Sequence, residues 1–110
     1  MPHAQPHPRK IALIGYDGAQ SLDLVGPLEV FSMANRFTGS PAYQVILVSL
    51  SGGEIVCNSG LRLAGAARVA DLPDDLDTVL LAGGDEAGLL SMRGSGVVIK
   101  LADSFFLFAT

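Results

Sequence analysis

The stretch "KIALIGYDGAQSLDLVGPLEVF", residues 10–31, decides the fold. Its opening, Lys10 to Tyr16, is an almost unbroken apolar run that stops at Asp17-Gly18, as a buried strand does where it meets a loop. Helical spacing then takes over. Leu24, Leu28 and Phe31 fall on one face, with Val30 and Ala34 beside it, and turn formers in "NRFTGSP" (35–41) end the pattern. An acid, Asp23, and a breaker, Gly26-Pro27, stand in the first turns of this helix. If the helix starts before Pro27, the proline ring crowds the Asp23 carbonyl and removes the N–H that a regular turn would offer it. If Pro27 is the first helical residue, it costs almost nothing. In both cases Asp23 belongs to the irregular end of the helix.

Further along, "YQVILVSL" (43–50) reads as a second buried strand, apolar on both faces as in a parallel sheet covered by helices. "SGGEIVCNSGLRL" (51–63) has the Gly-Gly and Asn-Ser-Gly turns of a hairpin, expected at the edge of the sheet. "DTVLLAGG" (77–84) is a third strand running into glycines. "DEAGLLSM" (85–92) can start a helix, with Asp85 and Glu86 near its N-terminal dipole. In "RGSGVVIKLADSFFLFAT" (93–110), the glycines break the helix and "FFLFA" suits an inner strand. This order predicts an α/β fold with an open, mainly parallel sheet, helices on both faces and a small edge hairpin. Ligands in such sheets sit beyond the carboxyl ends of the strands. The loops at 16–23, with Asp17 and Gly18, and at 83–88 are therefore where chemistry is expected.

Composition bounds the rest. A chain of 110 residues is one domain, and 49% hydrophobic against 16% charged residues excludes a disordered, solvating chain. Mean hydropathy is +0.43, more apolar surface than so short a chain hides easily. The net charge is −4 and Arg36, Arg62, Arg68 and Arg93 are scattered, so no direct DNA binding by this chain is expected. "DLPDDLD" (71–77) reads as a solvated loop. A single cysteine, Cys57, allows no internal disulfide and suits a reducing compartment. The start, "MPHAQPHPRK", has no apolar signal region, and no run reaches the length of a membrane span. A cytoplasmic protein with no membrane partner is expected. Residues 1–9 read as a disordered leader before a domain over 10–110; His3 and His7 would pair on a metal only in a helix, which Pro2, Pro6 and Pro8 prevent. No metal and no cofactor are expected.

Three segments in order, "IALIGYDGAQSLDLVGPLEVFSMANR", "YQVILVSLSGGEIVCNSGLRL" and "LDTVLLAGGDEAGL", resemble the ThiJ/PfpI group of the class I glutamine amidotransferase-like superfamily. The nearest likeness is to the N-terminal domain of AraC-family regulators of the GlxA type, over about residues 10–90. The resemblance implies a flavodoxin-like fold, incomplete in this chain. It also implies that Asp23 is the acid lining the family's pocket, where a carboxylate beside a thiol can tune it or act as general acid or base. Gly83 and Gly84 resemble the family's Gly-Gly pair, whose backbone N–H groups, with that of Asp85, can hold an oxyanion or ligand; Ala82 stands where a proline is usual. Glu29 lies on another helical face and reads as structural or dimer-facing.

The family's nucleophile elbow, a cysteine in a strained strand-to-helix turn, would fall just past Thr110 by the usual spacing. "FFLFAT" fits the strand leading into it. Cys57 lies in the hairpin with no glycine-flanked elbow and reads as a core residue. The resemblance thus implies a partial ligand-sensing domain of a GlxA-type regulator, homodimeric, binding a small molecule and catalytically inactive as it stands. Two alternatives stay open. One is an isonitrile hydratase-like ThiJ/PfpI hydrolase using Asp23. The other is a small flavodoxin-like binding module with an anion site, although "GYDGAQS" is no phosphate-cradling loop.

Overall fold

In a computed structural model of the chain, which describes residues 7–85, 87 and 106–109, seven strands and one α-helix are built from these segments. The strands are β1 (Arg9–Gly15), β2 (Tyr43–Ser49), β3 (Ile55–Val56), β4 (Arg62–Leu63), β5 (Ala67–Arg68), β6 (Thr78–Leu81) and β7 (Phe106–Ala109); the helix is α1 (Leu22–Thr38). Five strands form one sheet in the order β5-β2-β1-β6-β7, every pair parallel. β1 sits at its centre. Its register runs from Arg9 opposite Tyr43 to Gly15 opposite Ser49 on one side, and from Ile11 opposite Thr78 to Ile14 opposite Leu81 on the other. The mainly parallel α/β architecture expected from the sequence is the one observed.

Ile11, Ala12, Leu13 and Ile14 are all buried in succession, so both faces of β1 are covered. They form the core with Leu24, Val48, Ile55, Val79 and Leu81. β2 is buried only at Val48 and Ser49, and is half-exposed nearer its start, where a strand apolar on both faces was expected to be covered throughout. The β1 strand begins at Arg9, inside the expected leader, and Arg9 N–H donates to Ala42 O (2.9 Å). At the same end Lys10 N–H donates to Asp77 Oδ2 (3.0 Å), and Lys10 Nζ pairs with Asp75 (2.8 Å). The acidic loop is thus exposed but tied to the sheet.

The hairpin forms, β3 antiparallel to β4, but as its own two-stranded sheet. Beyond β2 the five-stranded sheet ends instead in β5, which pairs Val48 with Ala67 and Ser49 with Arg68. The strand expected in "FFLFA" forms at "FLFA" as β7, but beside β6 at the end of the sheet among the described residues, not as an inner strand. The helix expected over 85–92 lies outside the described residues, Asp85 and Ala87 apart.

α1 takes the first of the two alternatives for Pro27: it starts at Leu22 and holds the proline inside. Its first turn is tight, with the Ser21 carbonyl accepting from both Leu24 N–H (3.1 Å) and Val25 N–H (2.9 Å). The helix ends at Gly39, whose φ of +68° is the left-handed stop that glycine provides. Leu24, Leu28 and Phe31 face the core as expected. Val30 does not lie beside them: it is 65% exposed and shares an outward apolar stripe with Leu22, Met33 and Phe37. Asn35 joins helix to sheet, its amide donating to Tyr43 O (2.8 Å) and accepting from Tyr43 N–H (2.9 Å).

Candidate functional site

From β1 the chain passes through α1 to β2 on one side, whereas β7 lies beside β6 on the other. The strand order therefore reverses between β1 and β6. A crevice opens beyond the carboxyl ends of strands at such a point. Both loops that sequence reasoning singled out meet there.

They are joined by their backbones. Ala19 and Gly84 form an antiparallel bridge, flanked by Gln20 N–H to Gly83 O (2.7 Å) and Asp85 N–H to Gly18 O (3.0 Å). Glycine at 84 is what permits this approach. A Cβ there would lie 2.6 Å from Gly18 O and 2.8 Å from the Tyr16 hydroxyl. Gly18 has φ +90°, and a Cβ on it would meet the Asp85 carboxylate at 2.7 Å.

Asp23, at the start of α1, reaches the Gly-Gly turn, and its Oδ2 accepts from Gly83 N–H (2.9 Å). The structure thus brings together Asp23, Gly18, Gly83, Gly84 and Asp85. It also divides the three expected backbone donors. Gly83 N–H serves Asp23 and Asp85 N–H serves Gly18 O, whereas Gly84 N–H has no acceptor among the described residues. Asp17 turns the other way, to the hairpin, where its Oδ1 accepts from Val56 N–H (3.1 Å).

Sequence reasoning missed Tyr16. It closes an apolar run and reads as the last core residue of a strand. Its ring is indeed buried, but its hydroxyl donates to Ala82 O (2.7 Å) at the centre of the site. Burial, then the charge of Asp23, then that of Asp85 hold its phenol above the ordinary range. The signal that could have found it is its place: a polar-tipped aromatic where the central strand enters the crevice.

Cys57 is buried in the hairpin, between β3 and β4, and burial, with Asp17 second, pushes its thiol up. A thiol held protonated is a poor nucleophile. Among the described residues no three His, Cys, Asp or Glu side chains gather as a metal would require. His3 lies outside the described residues, and His7 lines an open cavity of about 890 Å³ with Arg9, Ser40 and Tyr43. That cavity is at the amino ends of β1 and β2 and holds none of the groups above. Among the described residues no helix is long and apolar enough to cross a membrane.

A model of the DJ-1/PfpI family matches residues 9–107. An uncharacterized protein in the cpoL 5′ region of Streptomyces lividans is 37% identical over 78 residues, which are 71% of this chain and 53% of that protein. Among solved structures, the fold is similar to that of the VC2308 protein (TM-score 0.77, 16% identity, 93% of this chain and 52% of that one). It is also similar to an AraC family transcriptional regulator from Pseudomonas putida (0.74, 20%, 93% and 55%). Drosophila melanogaster DJ-1beta is a third such structure (0.70, 20%, 93% and 54%). The chain spans about half the length of each of these proteins.

Proposed function

The chain belongs to the DJ-1/PfpI family, and from that premise we propose that it is the ligand-sensing part of a GlxA-type, AraC-family transcriptional regulator, binding a small molecule without turning it over. The observation that carries this reading is the division of labour at the Gly-Gly turn. Asp23 is engaged with Gly83 N–H, whereas Gly84 N–H has no acceptor among the described residues. A ligand bearing a carbonyl or carboxylate oxygen fits such a donor. Cys57 is buried and its thiol pushed up, so this residue is ill suited to act as a nucleophile. The likeness to the Pseudomonas putida regulator supports the same direction.

The partner in this reading is a second copy of the chain, seated on the outward stripe of α1 formed by Leu22, Val30, Met33 and Phe37. DNA contact belongs to another part of the regulator, and the compartment is the cytoplasm. An isonitrile hydratase-like enzyme is the rival, because Asp23 suits a general acid or base. Two measurements separate them. The regulator reading expects a helix-turn-helix encoded downstream in the gene and no turnover of isonitrile or glyoxal substrates. Turnover that disappears in Asp23→Asn, with no helix-turn-helix in the gene, would overturn it in favour of the enzyme.

A further inference from the structure

We propose that Tyr16 is the positioning residue of this site: its hydroxyl and the Asp23 carboxylate grip opposite ends of one peptide group, that between Ala82 and Gly83, and so decide which backbone N–H faces a ligand. The carbonyl of that peptide is Ala82 O, which accepts from Tyr16 (2.7 Å), and its N–H is that of Gly83, which donates to Asp23 Oδ2 (2.9 Å). No peptide bond among the described residues is cis, so the two ends of the group point in opposite directions. A glycine pair leaves this turn more rotational freedom than any other sequence would. Without the grip, the peptide can turn over.

The two side chains select one orientation by what they can exchange. An ionised carboxylate only accepts, and a phenol has one proton to give. As observed, N–H meets carboxylate and O–H meets carbonyl. Turned over, the peptide would set its carbonyl oxygen against the Asp23 carboxylate. Bonds at both ends also polarise the amide and strengthen each other. Burial and the two neighbouring carboxylates keep the proton on Tyr16, so the donor is present throughout the neutral range. The next peptide is fixed in turn by Gln20 N–H on Gly83 O (2.7 Å), which directs Gly84 N–H away from the 16–21 loop. The absence of a side chain at 84 leaves room for the phenol.

The grip is independent of what the pocket binds; only its consequence for Gly84 rests on the pocket reading. The test is amide NMR of the full chain. In Tyr16→Phe the Gly83 amide proton moves upfield and exchanges with solvent about tenfold faster. The Ala82 amide, held by Ile14 O (3.2 Å), keeps its shift and protection. A variant that had merely loosened the fold would speed both. A second probe keeps the shape intact: 3-fluorotyrosine placed at 16 in a Tyr43→Phe background, whose more acidic phenol donates more strongly, moves Gly83 downfield. A Gly83 resonance that stays in place with both replacements would overturn the proposal. Failure of every ligand to perturb Gly84 while Gly83 responds would sink the pocket reading and leave the grip standing.

Discussion

Gly84→Ala is the sharpest perturbation the structure offers, because its cost can be worked from named contacts. The residue is not among the glycines with positive φ, so alanine suits the backbone itself. What it lacks is room. The new methyl would lie 2.6 Å from Gly18 O, 2.8 Å from the Tyr16 hydroxyl and 3.1 Å from Ala19 Cα, whereas ordinary contact begins near 3.4 Å. One loop must retreat by about 0.8 Å, and two of the three obstacles are backbone, which cannot rotate aside. That retreat breaks Asp85 N–H to Gly18 O and strains Tyr16 to Ala82 O. Two hydrogen bonds weakened at about 1 kcal/mol each and about 1–3 kcal/mol of overpacking outweigh the gain of about 0.4–1 kcal/mol from a stiffer unfolded chain. The expected net loss is about 2–4 kcal/mol.

Urea unfolding followed by circular dichroism reads this loss as a lower midpoint at unchanged slope. Two controls bracket it. Gly53 has nothing within 4 Å of its would-be Cβ and an ordinary φ, so Gly53→Ala should stay within about 0.5 kcal/mol of wild type. At Gly15 the obstacles are the tips of the Ile55 and Leu24 side chains, at 2.6 and 2.8 Å, which yield more readily than backbone. Gly15→Ala should therefore fall between the other two. A Gly84→Ala protein as stable as Gly53→Ala would refute the joined-loop geometry.

Tyr16 ionisation, read at 295 nm in Tyr43→Phe, should come above the ordinary value near 10, and Asp23→Asn should bring it down. The folded chain holds this proton more tightly than the unfolded one, so stability is level below that value and falls as pH rises through the folded midpoint. Cys57 should resist Ellman's reagent in the folded protein and react only as fast as the chain unfolds; rapid labelling without unfolding would contradict its burial. Val30→Asp combined with Phe37→Asp should convert a dimer to monomer in sedimentation velocity with the fold retained, and an unchanged sedimentation coefficient would remove the α1 stripe from the interface.

The parallel sheet was legible because its strands are written as contiguous apolar runs, as at Ile11–Ile14 and Val45–Val48, even though only the end of the second is buried. Asp23 was singled out by the family pattern; it lies in the first turn of α1, with Pro27 inside the helix. β5 was not, because two residues carry no period. Asn35 was read as part of a turn-forming cluster. It stays helical because both ends of its amide find the backbone of Tyr43, a contact that no window along the chain displays. Val30 was placed near the core because its spacing from Leu24 and Phe31 cannot say how wide the covered face is. Tyr16 was missed for a related reason. Its ring obeys the rule for a core residue, and only the long-range partner of its hydroxyl, 66 positions away, gives it a second role.

The loop between β1 and α1 also explains why no phosphate cradle exists there. Residues 18–20 lie between two other segments and are bonded to both. Gly18 N–H donates to Val56 O (2.9 Å) and Ala19 O accepts from Asn58 N–H (2.9 Å) on the hairpin side. Gly18 O and Gln20 N–H serve the Gly-Gly turn on the other. Ala19 N–H returns to Tyr16 O (3.0 Å). A phosphate-binding loop needs successive N–H groups pointing into open space, and here all three are already engaged. An anion-binding module built on "GYDGAQS" is thereby disfavoured on geometry as well as on sequence. The same bonding makes this loop a shared support, held by the hairpin at Val56 and Asn58 and by the Gly-Gly turn at Gly83 and Asp85. The Gly-Gly turn is therefore held from three directions: by the 18–20 loop, itself bonded to the hairpin, by Tyr16 at the Ala82 carbonyl, and by Asp23 at the Gly83 N–H.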